Sequence, residues 1–266
     1  MPIPVANRSV RTPSRKRANC LSWLGAGLLL AQWLWPADAT AADQVRLQLR
    51  WRHQFQFAGY YMALEKGFYR RAGLEVEILP GGPQAPKPIE TLLAGAVDFT
   101  IANSGVLIAR MAGHPVVALA ALMQRSPIVW IVRADSGIYS PHDLAGKRVM
   151  LMPEPESAEL RITLAHEGID PKRLQMLQTS FDPQDLIDGH TDAYDGYISN
   201  EPFWLQQQGV DYRLIDPHEY GVNFYNDVLI TREALLQQRP EQVEAFVQAS
   251  LEGWRYALDH VEESVQ

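Results

Sequence analysis

Cysteine is almost absent from this 266-residue chain, which contains a single one, Cys20. The leucine that lipoprotein signals carry three positions before their cysteine is missing here, so we expect no lipidation. No cysteine follows Cys20 along the chain. The rest of the protein therefore has no disulfide, no thiolate nucleophile and no cysteine-ligated metal.

The short motifs of several large enzyme classes are also missing. The chain has no glycine-rich phosphate loop, no G-x-G-x-x-G, no H-E-x-x-H and no G-x-S-x-G. None of its seven histidines lies three or four residues from another, so no helical metal pair exists. No pair of carboxylates in the sequence indicates acid–base chemistry. We predict no metal, no cofactor and no enzymatic activity.

A surplus of basic charge is lacking as well, since the formal net charge is -7. The first 41 residues hold five of the 24 basic residues and one of the 31 acidic ones, which leaves 19 and 30 in the rest and a charge of -11 there. An acidic domain without a basic stripe argues against nucleic acid as a partner.

Long apolar runs are confined to the N-terminus. Basic residues between Arg8 and Arg17 precede an uncharged run over residues 21–35, and small residues in A-x-A spacing follow it. This order predicts a secretory signal, residues 1–42, cleaved near Ala41 or Ala42. A membrane anchor is the alternative, but the run is shorter than the roughly 20 residues that a spanning helix needs.

From residue 44 onward, short apolar strand patterns alternate with amphipathic helical patterns. This alternation predicts an α/β fold with mostly parallel sheets and flanking helices. Two such units, joined near Arg133 and Tyr220, would form two lobes around a cleft. We assign residues 43–134 to the first part of lobe 1, 135–219 to lobe 2, and 220–266 to a return to lobe 1. Because no turn closes the last helix, we expect the parent protein to continue beyond Gln266.

Aromatic residues are concentrated where the first strand leads into the first helix. Trp51, Tyr60 and Tyr61 lie in this segment, together with Phe55 and Phe57. Ligands of α/β proteins bind at the carboxyl ends of strands, and a flat ligand can stack on such rings. Packing in the core is the alternative. We expect it for Phe55 and Phe57, whereas both roles stay open for Trp51 and Tyr60.

Polar residues follow two later strands. Asn103 and Ser104 end the third strand, where they can either bind a ligand or cap the next helix. Tyr197, Asn200 and Glu201 end a strand of the second unit. Glu201 can serve either as a helix-start residue or as an acceptor for a ligand amine.

Tyr225 and Asp227 precede the late strand over residues 228–231. They fall at the predicted crossover between the two units, which is where the cleft should lie.

Nine segments, in this order along the chain, resemble one family. They are LRW (49–51), AGYY (58–61), EKG (65–67), GAVDF (95–99), ANS (102–104), DLAGK (143–147), GY (196–197), NEPF (200–203) and ASLEGW (249–254). They resemble the bacterial members of the family that binds thiamine pyrimidine precursors and includes pyrimidine synthases. The resemblance implies the two-lobed periplasmic binding protein fold, the Venus flytrap, in which closure traps a ligand.

The resemblance implies a periplasmic location and one of three functions. Bacterial members similar to this chain form the input domain of membrane-bound diguanylate cyclases or histidine kinases, so signalling domains in the same chain are the first expected partners. Other members are substrate-binding subunits that deliver a solute to an ABC permease. Eukaryotic members synthesise the thiamine pyrimidine from histidine and pyridoxal phosphate.

The synthase function can be tested on the sequence. The resemblance implies a lysine and a histidine after the third strand, yet residues 99–113 contain neither. It also implies a cysteine-rich iron segment before the late strand, yet residues 223–228 contain no cysteine. A Schiff base needs an amine and an iron site needs ligands, so synthase activity is not expected.

The expected ligand is a small amine-bearing molecule, either a thiamine pyrimidine precursor or an amino acid. Aromatic side chains would stack on it, while Glu201 and Asp227 would select its amine by charge-assisted hydrogen bonds. Closure would be a hinge motion that ligand contacts favour. The predicted binding residues are Trp51, Tyr60, Tyr61, Asn103, Ser104, Tyr197, Asn200, Glu201, Tyr225 and Asp227.

Overall fold

The computed structural model describes residues 42–266. The predicted signal, apart from Ala42, lies outside the described residues, and its prediction is untested. Among residues 42–266, no helix combines the length and the apolar character that crossing a membrane requires.

Strands and helices alternate throughout residues 42–266, as the sequence pattern predicts. The strands are β1 Asp43–Gln48, β2 Leu74–Leu79, β3 Phe99–Ala102, β4 Val116–Met123, β5 Ile128–Arg133, β6 Arg148–Leu151, β7 Gln175–Gln178, β8 Tyr194–Tyr197, β9 Tyr212–Ile215 and β10 Asn226–Arg232. The α-helices are α1 Ala58–Glu65, α2 Phe68–Arg71, α3 Pro88–Leu93, α4 Gly105–Met111, α5 Ala158–His166, α6 Gln184–Ile187, α7 Glu201–Gln207, α8 Glu233–Gln238, α9 Pro240–Asp259 and α10 Val261–Ser264. Short 3₁₀ turns cover Phe55–Phe57, Pro141–Leu144, Pro171–Arg173 and Pro217–Tyr220.

The largest sheet has the strand order β2-β1-β3-β10-β4. β1 pairs in parallel with β2 and β3, as expected for strands joined by helical crossovers. β10 comes back from the second unit and inserts antiparallel between β3 and β4. Through this return β10 belongs to the same sheet as the first strands.

A second group of strands forms two smaller sheets. β5 lies between β8 and β9 and is antiparallel to both, whereas β6 and β7 are parallel. The expectation of mostly parallel sheets is therefore wrong in detail, and the sheets are mixed. A local strand pattern does not specify the direction of the strand's partner, because that direction depends on where the chain re-enters the sheet.

The lobe boundaries stay a prediction that the sheets refine. The predicted first part of lobe 1 runs to residue 134 and so includes β5. β5, however, pairs only with strands of the second group within the described residues. We therefore propose that the chain crosses between the lobes at residues 124–127 and again at 216–225.

Helices cover both faces of the largest sheet. One face packs against α1, α2 and α9, and the aromatic rings of Tyr69, Phe99 and Phe246 stack there. The other face packs against α3 and α4 around Leu92 and Ile230. The second group has its own apolar core around Trp130. Two separate cores leave room for a cleft between the groups.

Candidate functional site

A cavity of about 580 Å³ lies between the two groups of strands. This size falls within the usual range for small-molecule sites, roughly 300–1,000 Å³. Its wall combines aromatic rings, carboxylates, one buried arginine and an apolar surface. Residues that line it include Arg50, Trp51, Ile89, Leu93, Ile108, Ala109, Glu156, Phe181, Asp195, Tyr197, Asn200 and Glu201.

Arg50, just after β1, connects the two groups at the base of the cavity. Its Nη1 donates to the Tyr197 hydroxyl at 2.5 Å and to Asn226 Oδ1 at 2.6 Å. Its Nη2 donates to Glu156 Oε2 at 2.9 Å. Burial alone lowers the pKa of the guanidinium. The surrounding Tyr197, Glu156 and Asp227 together raise it by a larger amount, so the pKa of Arg50 lies above the ordinary value. Arg50 is therefore a fixed cation held by both groups.

Asp227 stands beside this arginine. Its Oδ1 lies 3.8 Å from Arg50 Nη1, and its Oδ2 accepts a hydrogen bond from Gln56 Nε2 at 2.7 Å. Burial raises the pKa of Asp227, and the positive charge of Arg50 opposes the rise. The residue has φ of 44°, a left-handed conformation that is uncommon for a side chain other than glycine. Asp227 thus forms an ion pair with Arg50 but does not line the cavity.

Trp51 and Phe181 face one another across the cleft. Their ring centroids are 5.5 Å apart with an interplanar angle of 45°. Both residues line the cavity, and they come from different groups of strands. Of the two roles left open for Trp51, the position in the cleft is the one that the structure supports. The two rings offer apolar surface to a flat ligand.

Tyr197, Asn200 and Glu201 also line the cavity, as the sequence analysis expects of a strand end. Glu201 accepts hydrogen bonds from the Tyr197 backbone N–H at 2.7 Å and from Asn200 Nδ2 at 2.9 Å. Burial raises the pKa of Glu201. A Cβ at Gly196 would lie 2.8 Å from Glu201 Oε2, so the glycine allows this carboxylate its place at the wall.

Asn103 and Ser104 contact lobe 2 residues behind the wall. Asn103 Nδ2 donates to Glu156 Oε2 at 2.8 Å, while its Oδ1 accepts from the Gly105 N–H at 2.9 Å. Ser104 Oγ donates to the buried Glu159 at 3.1 Å. Asn103 therefore hydrogen-bonds the start of α4, which is the capping alternative considered for it, and it also contacts the opposite group.

Six of the ten predicted binding residues do not line the cavity: Asn103, Ser104 and Asp227 contact residues behind its wall, and three tyrosines lie elsewhere. Tyr60 is buried in the core, where its ring packs edge-on against Trp254 at 5.8 Å. Tyr61 hydrogen-bonds His53 on the outside of the cleft. The Tyr225 side chain is 58% exposed and lines no part of the cavity. For Tyr60 the structure supports the core alternative.

Sequence reasoning missed Arg50, Glu156, Phe181 and Asp195. Asp195 is buried within β8, accepts a hydrogen bond from the Met152 N–H at 2.6 Å and lines the cavity. Burial raises its pKa to about 6, against the effect of Met152 and of Thr179. The available signal was a charged residue inside an apolar strand, the pattern of a buried functional carboxylate. Asp195 is one of five acidic residues that line the cavity, the others being Glu90, Glu154, Glu156 and Glu201.

The family model described as NMT1/THI5 like matches residues 54–264. Among characterised relatives, the formylaminopyrimidine-binding protein of Halalkalibacterium halodurans is 29% identical, over 86% of this chain and 71% of the relative. The riboflavin-binding protein RibY of Chloroflexus aurantiacus is 28% identical, over 86% and 66%. A 4-amino-5-hydroxymethyl-2-methylpyrimidine phosphate synthase of Legionella pneumophila is 25% identical, over 86% and 74%.

Solved structures confirm the predicted fold. The periplasmic aliphatic sulphonate binding protein SsuA of Escherichia coli matches with a TM-score of 0.68 at 16% identity, over 84% of this chain and 72% of that one. The alkanesulfonate-binding protein SsuA of Xanthomonas axonopodis pv. citri matches with a TM-score of 0.65 at 17% identity, over 85% and 78%. The chain therefore has the two-lobed periplasmic binding protein fold.

Proposed function

This chain belongs to the NMT1/THI5 like family, and on that basis we propose that it is a periplasmic solute-binding protein whose cleft captures a small, flat, amine-bearing heteroaromatic molecule, a pyrimidine of the thiamine-precursor type. The observation that carries the proposal is the composition of the cavity wall, in which the facing aromatic rings of Trp51 and Phe181 lie in the same cavity as five carboxyl groups. Rings bind the flat faces of such a ligand, and carboxylates accept hydrogen bonds from its amine.

A free amino acid, the other ligand class expected from the sequence, fits the cavity less well. Its α-carboxylate would need a cationic partner. Both terminal nitrogens of Arg50 already donate to protein acceptors, to Tyr197 and Asn226 through one and to Glu156 through the other. The acidic groups of the wall would in addition repel a carboxylate. An aminopyrimidine, which carries no negative charge, avoids both costs.

Binding rather than synthesis is supported by the residues around the cleft. One relative is named a synthase, while the relatives with higher identity are named binding proteins. In this chain residues 99–113 contain neither lysine nor histidine, and residues 223–228 contain no cysteine. The groups that the synthase reaction was expected to need are thus missing from these segments.

Delivery to an ABC permease is the purpose that the comparisons favour. Structural neighbours with the same fold include a protein described as a component of a sulfonate ABC transporter. The role as input domain of a membrane-bound signalling protein rests on the sequence resemblance alone. A signalling domain in the same reading frame would establish that alternative, whereas a permease and an ATPase encoded beside the chain would establish import.

Thermal unfolding in the presence of candidate ligands tests the proposal. A ligand that binds only the folded protein stabilises it by about 2.7 kcal/mol at 100 times its Kd. We therefore expect formylaminopyrimidine or 4-amino-2-methylpyrimidine to raise the Tm, and lysine and arginine to leave it unchanged.

Two aromatic variants locate the effect. Trp51→Ala should abolish the rise, because it removes one of the facing rings. Tyr225→Ala, which removes an exposed ring outside the cavity, should preserve it. The proposal is wrong if no aminopyrimidine raises the Tm or if both variants respond as the unchanged protein does.

A further inference from the structure

The cavity extends from its polar base into an apolar groove on lobe 1, between α3 and α4. α3 contributes Ile89 and Leu93 to the groove, and α4 contributes Ile108 and Ala109. Both helices pack on the same face of the largest sheet, so their side chains flank one furrow that is continuous with the site of Trp51. We use the name apolar groove for these four residues.

We propose that the apolar groove is a second ligand subsite, which takes a hydrocarbon or aryl arm attached to the heteroaromatic head group. The ligand of this chain is then an amphiphilic molecule, larger than a single substituted pyrimidine. The inference rests on the proposed function, because the head group at the polar base fixes where the arm begins.

The volume of the cavity supports a ligand with two parts. About 580 Å³ holds many water molecules, since one water needs only about 10–15 Å³ of water-accessible space. A single six-membered ring with small substituents leaves much of this space to water. Water against aliphatic walls is unfavourable, whereas an apolar arm that displaces it gains the free energy of apolar burial.

The distribution of charge supports the same division. Arg50, Glu156, Asp195 and Glu201 come from the loop after β1 and from the second group of strands, while none of the four groove residues is charged. The nearest charges on the α3 side are Lys87 and Glu90. They form an ion pair of 3.6 Å with each other, and their side chains are 78% and 71% exposed to solvent. On the α3 side the charges thus lie in exposed side chains at the rim, and the groove itself is apolar.

The groove is unfilled by the protein's own side chains. Ile108 is 50% exposed, although it faces a cavity that other apolar residues share. An arm of the ligand can cover it without any rearrangement of α4. Continuity with the ligand cavity favours this occupant over a separate protein partner, which would have to enter the cleft to reach Ile89 and Leu93.

A ligand series measures the subsite directly. Isothermal titration calorimetry would compare 4-amino-2-methylpyrimidine with the same ring carrying a methyl, butyl or benzyl group at carbon 5. The inference expects Kd to fall about fourfold for each methylene that enters the groove, the factor that corresponds to about 0.8 kcal/mol of burial.

A matched pair of variants of α4 places the gain in the groove. Ile108→Asp puts a charge into the groove and should weaken the butyl and benzyl ligands at least tenfold, with the unsubstituted ring unchanged within twofold. Leu107→Asp is the control, because Leu107 is the preceding residue, is 58% exposed and lies outside the cavity wall. It should leave every ligand unchanged.

The outcomes separate the two proposals. If no member of the series binds, the proposed function fails and the inference fails with it. If the unsubstituted ring binds and the arm brings no gain, only the inference is wrong. If Ile108→Asp weakened the binding of the unsubstituted ring as much as that of the butyl and benzyl ligands, the inference would also be wrong. The same holds if Leu107→Asp and Ile108→Asp had equal effects on binding.

Discussion

Asp195 is a carboxyl group held inside a strand, and its burial makes stability depend on pH. Its pKa is raised from the ordinary value of 3.8 to about 6. Between these values the folded protein binds more protons at this group than the unfolded chain does. The stabilising contribution of the protonated group is therefore complete below about pH 4 and is lost as the pH rises through about 6. The difference between these two pKa values corresponds to a change in the free energy of unfolding of at most about 3 kcal/mol.

The variant Asp195→Asn removes this titration. We expect its free energy of unfolding, relative to that of the unchanged protein, to increase by about 1–3 kcal/mol between pH 4 and pH 7. Urea unfolding followed by circular dichroism at several pH values measures the difference. Glu201, whose pKa burial also raises, titrates in both proteins and cancels to first order.

Asp192→Asn serves as a control of opposite sign. The hydrogen bonds from Arg148 lower the pKa of Asp192, so its contribution is present at neutral pH and lost in acid. This variant should lose stability relative to the unchanged protein as the pH rises. If the free energy of unfolding depended on pH in the same way in both variants and in the unchanged protein, the environments assigned to Asp195 and Asp192 would be wrong.

Single residues at strand ends were predictable only where position alone decides their role. Tyr197 ends a strand, and Trp51 and Glu201 come within four residues after one; the carboxyl ends of those strands face the cleft. Tyr60 lies within a helix, where a half-turn of rotation separates the cleft from the core, and it points to the core. Arg50 looks like any surface arginine in the sequence, because its partner Glu156 is 106 residues away.

At the scale of elements, most helices and strands follow from their sequence patterns. The apolar patterns over residues 116–122 and 212–215 predict two strands, and β4 and β9 match these ranges to within one residue at each end. The helical pattern over residues 60–72 predicts one helix, whereas the structure has α1 and α2, divided at Gly67, whose φ of 70° interrupts the helix. The apolar pattern over residues 240–265 likewise predicts one long helix, but the structure interrupts it at His260. α8 was missed, since its six residues are too few to show a period.

The contact between α1 and α9 depends on two glycines. A Cβ added at Gly253 would lie 2.1 Å from the carbonyl oxygen of Gly59 and 2.7 Å from the Cβ of Ala63. Gly253→Ala should therefore destabilise the protein by about 1–2 kcal/mol, because separating the helices costs more than the roughly 1 kcal/mol that alanine gains in a helix.

Urea unfolding at pH 7 measures this cost. Gln248→Ala, an exposed substitution in the same helix, should change the stability by no more than about 0.5 kcal/mol. If Gly253→Ala were as stable as Gln248→Ala, the close approach of the two helices would be wrong.

At the scale of the whole molecule, polar contacts hold the two groups of strands together around the cavity. Glu156 accepts hydrogen bonds from Arg50 and Asn103, and Glu159 accepts one from Ser104. The donors come from the group that includes the largest sheet, and the acceptors lie before or within α5. The sequence pattern predicts two units and a cleft, but it does not show which side chains meet across it. Those pairs depend on the relative placement of the groups.

Removal of Glu156 should shift the molecule toward an open form. The Glu156 side chain is 41% exposed, so solvent screens its ion pair with Arg50, and we expect Glu156→Ala to cost the closed form only about 1 kcal/mol, or about fivefold in population. The radius of gyration from small-angle X-ray scattering should increase without ligand and return toward the original value when an aminopyrimidine saturates the cleft.

Glu154→Ala is the matched control, because Glu154 also lines the cavity but lies 3.4 Å from Arg161 of its own group. It removes an acidic group of the same segment without removing a contact between the groups, and its radius should stay unchanged. An equal expansion in both variants would show that total charge, rather than the contact of Glu156 with Arg50 and Asn103, sets the balance between the open and closed forms.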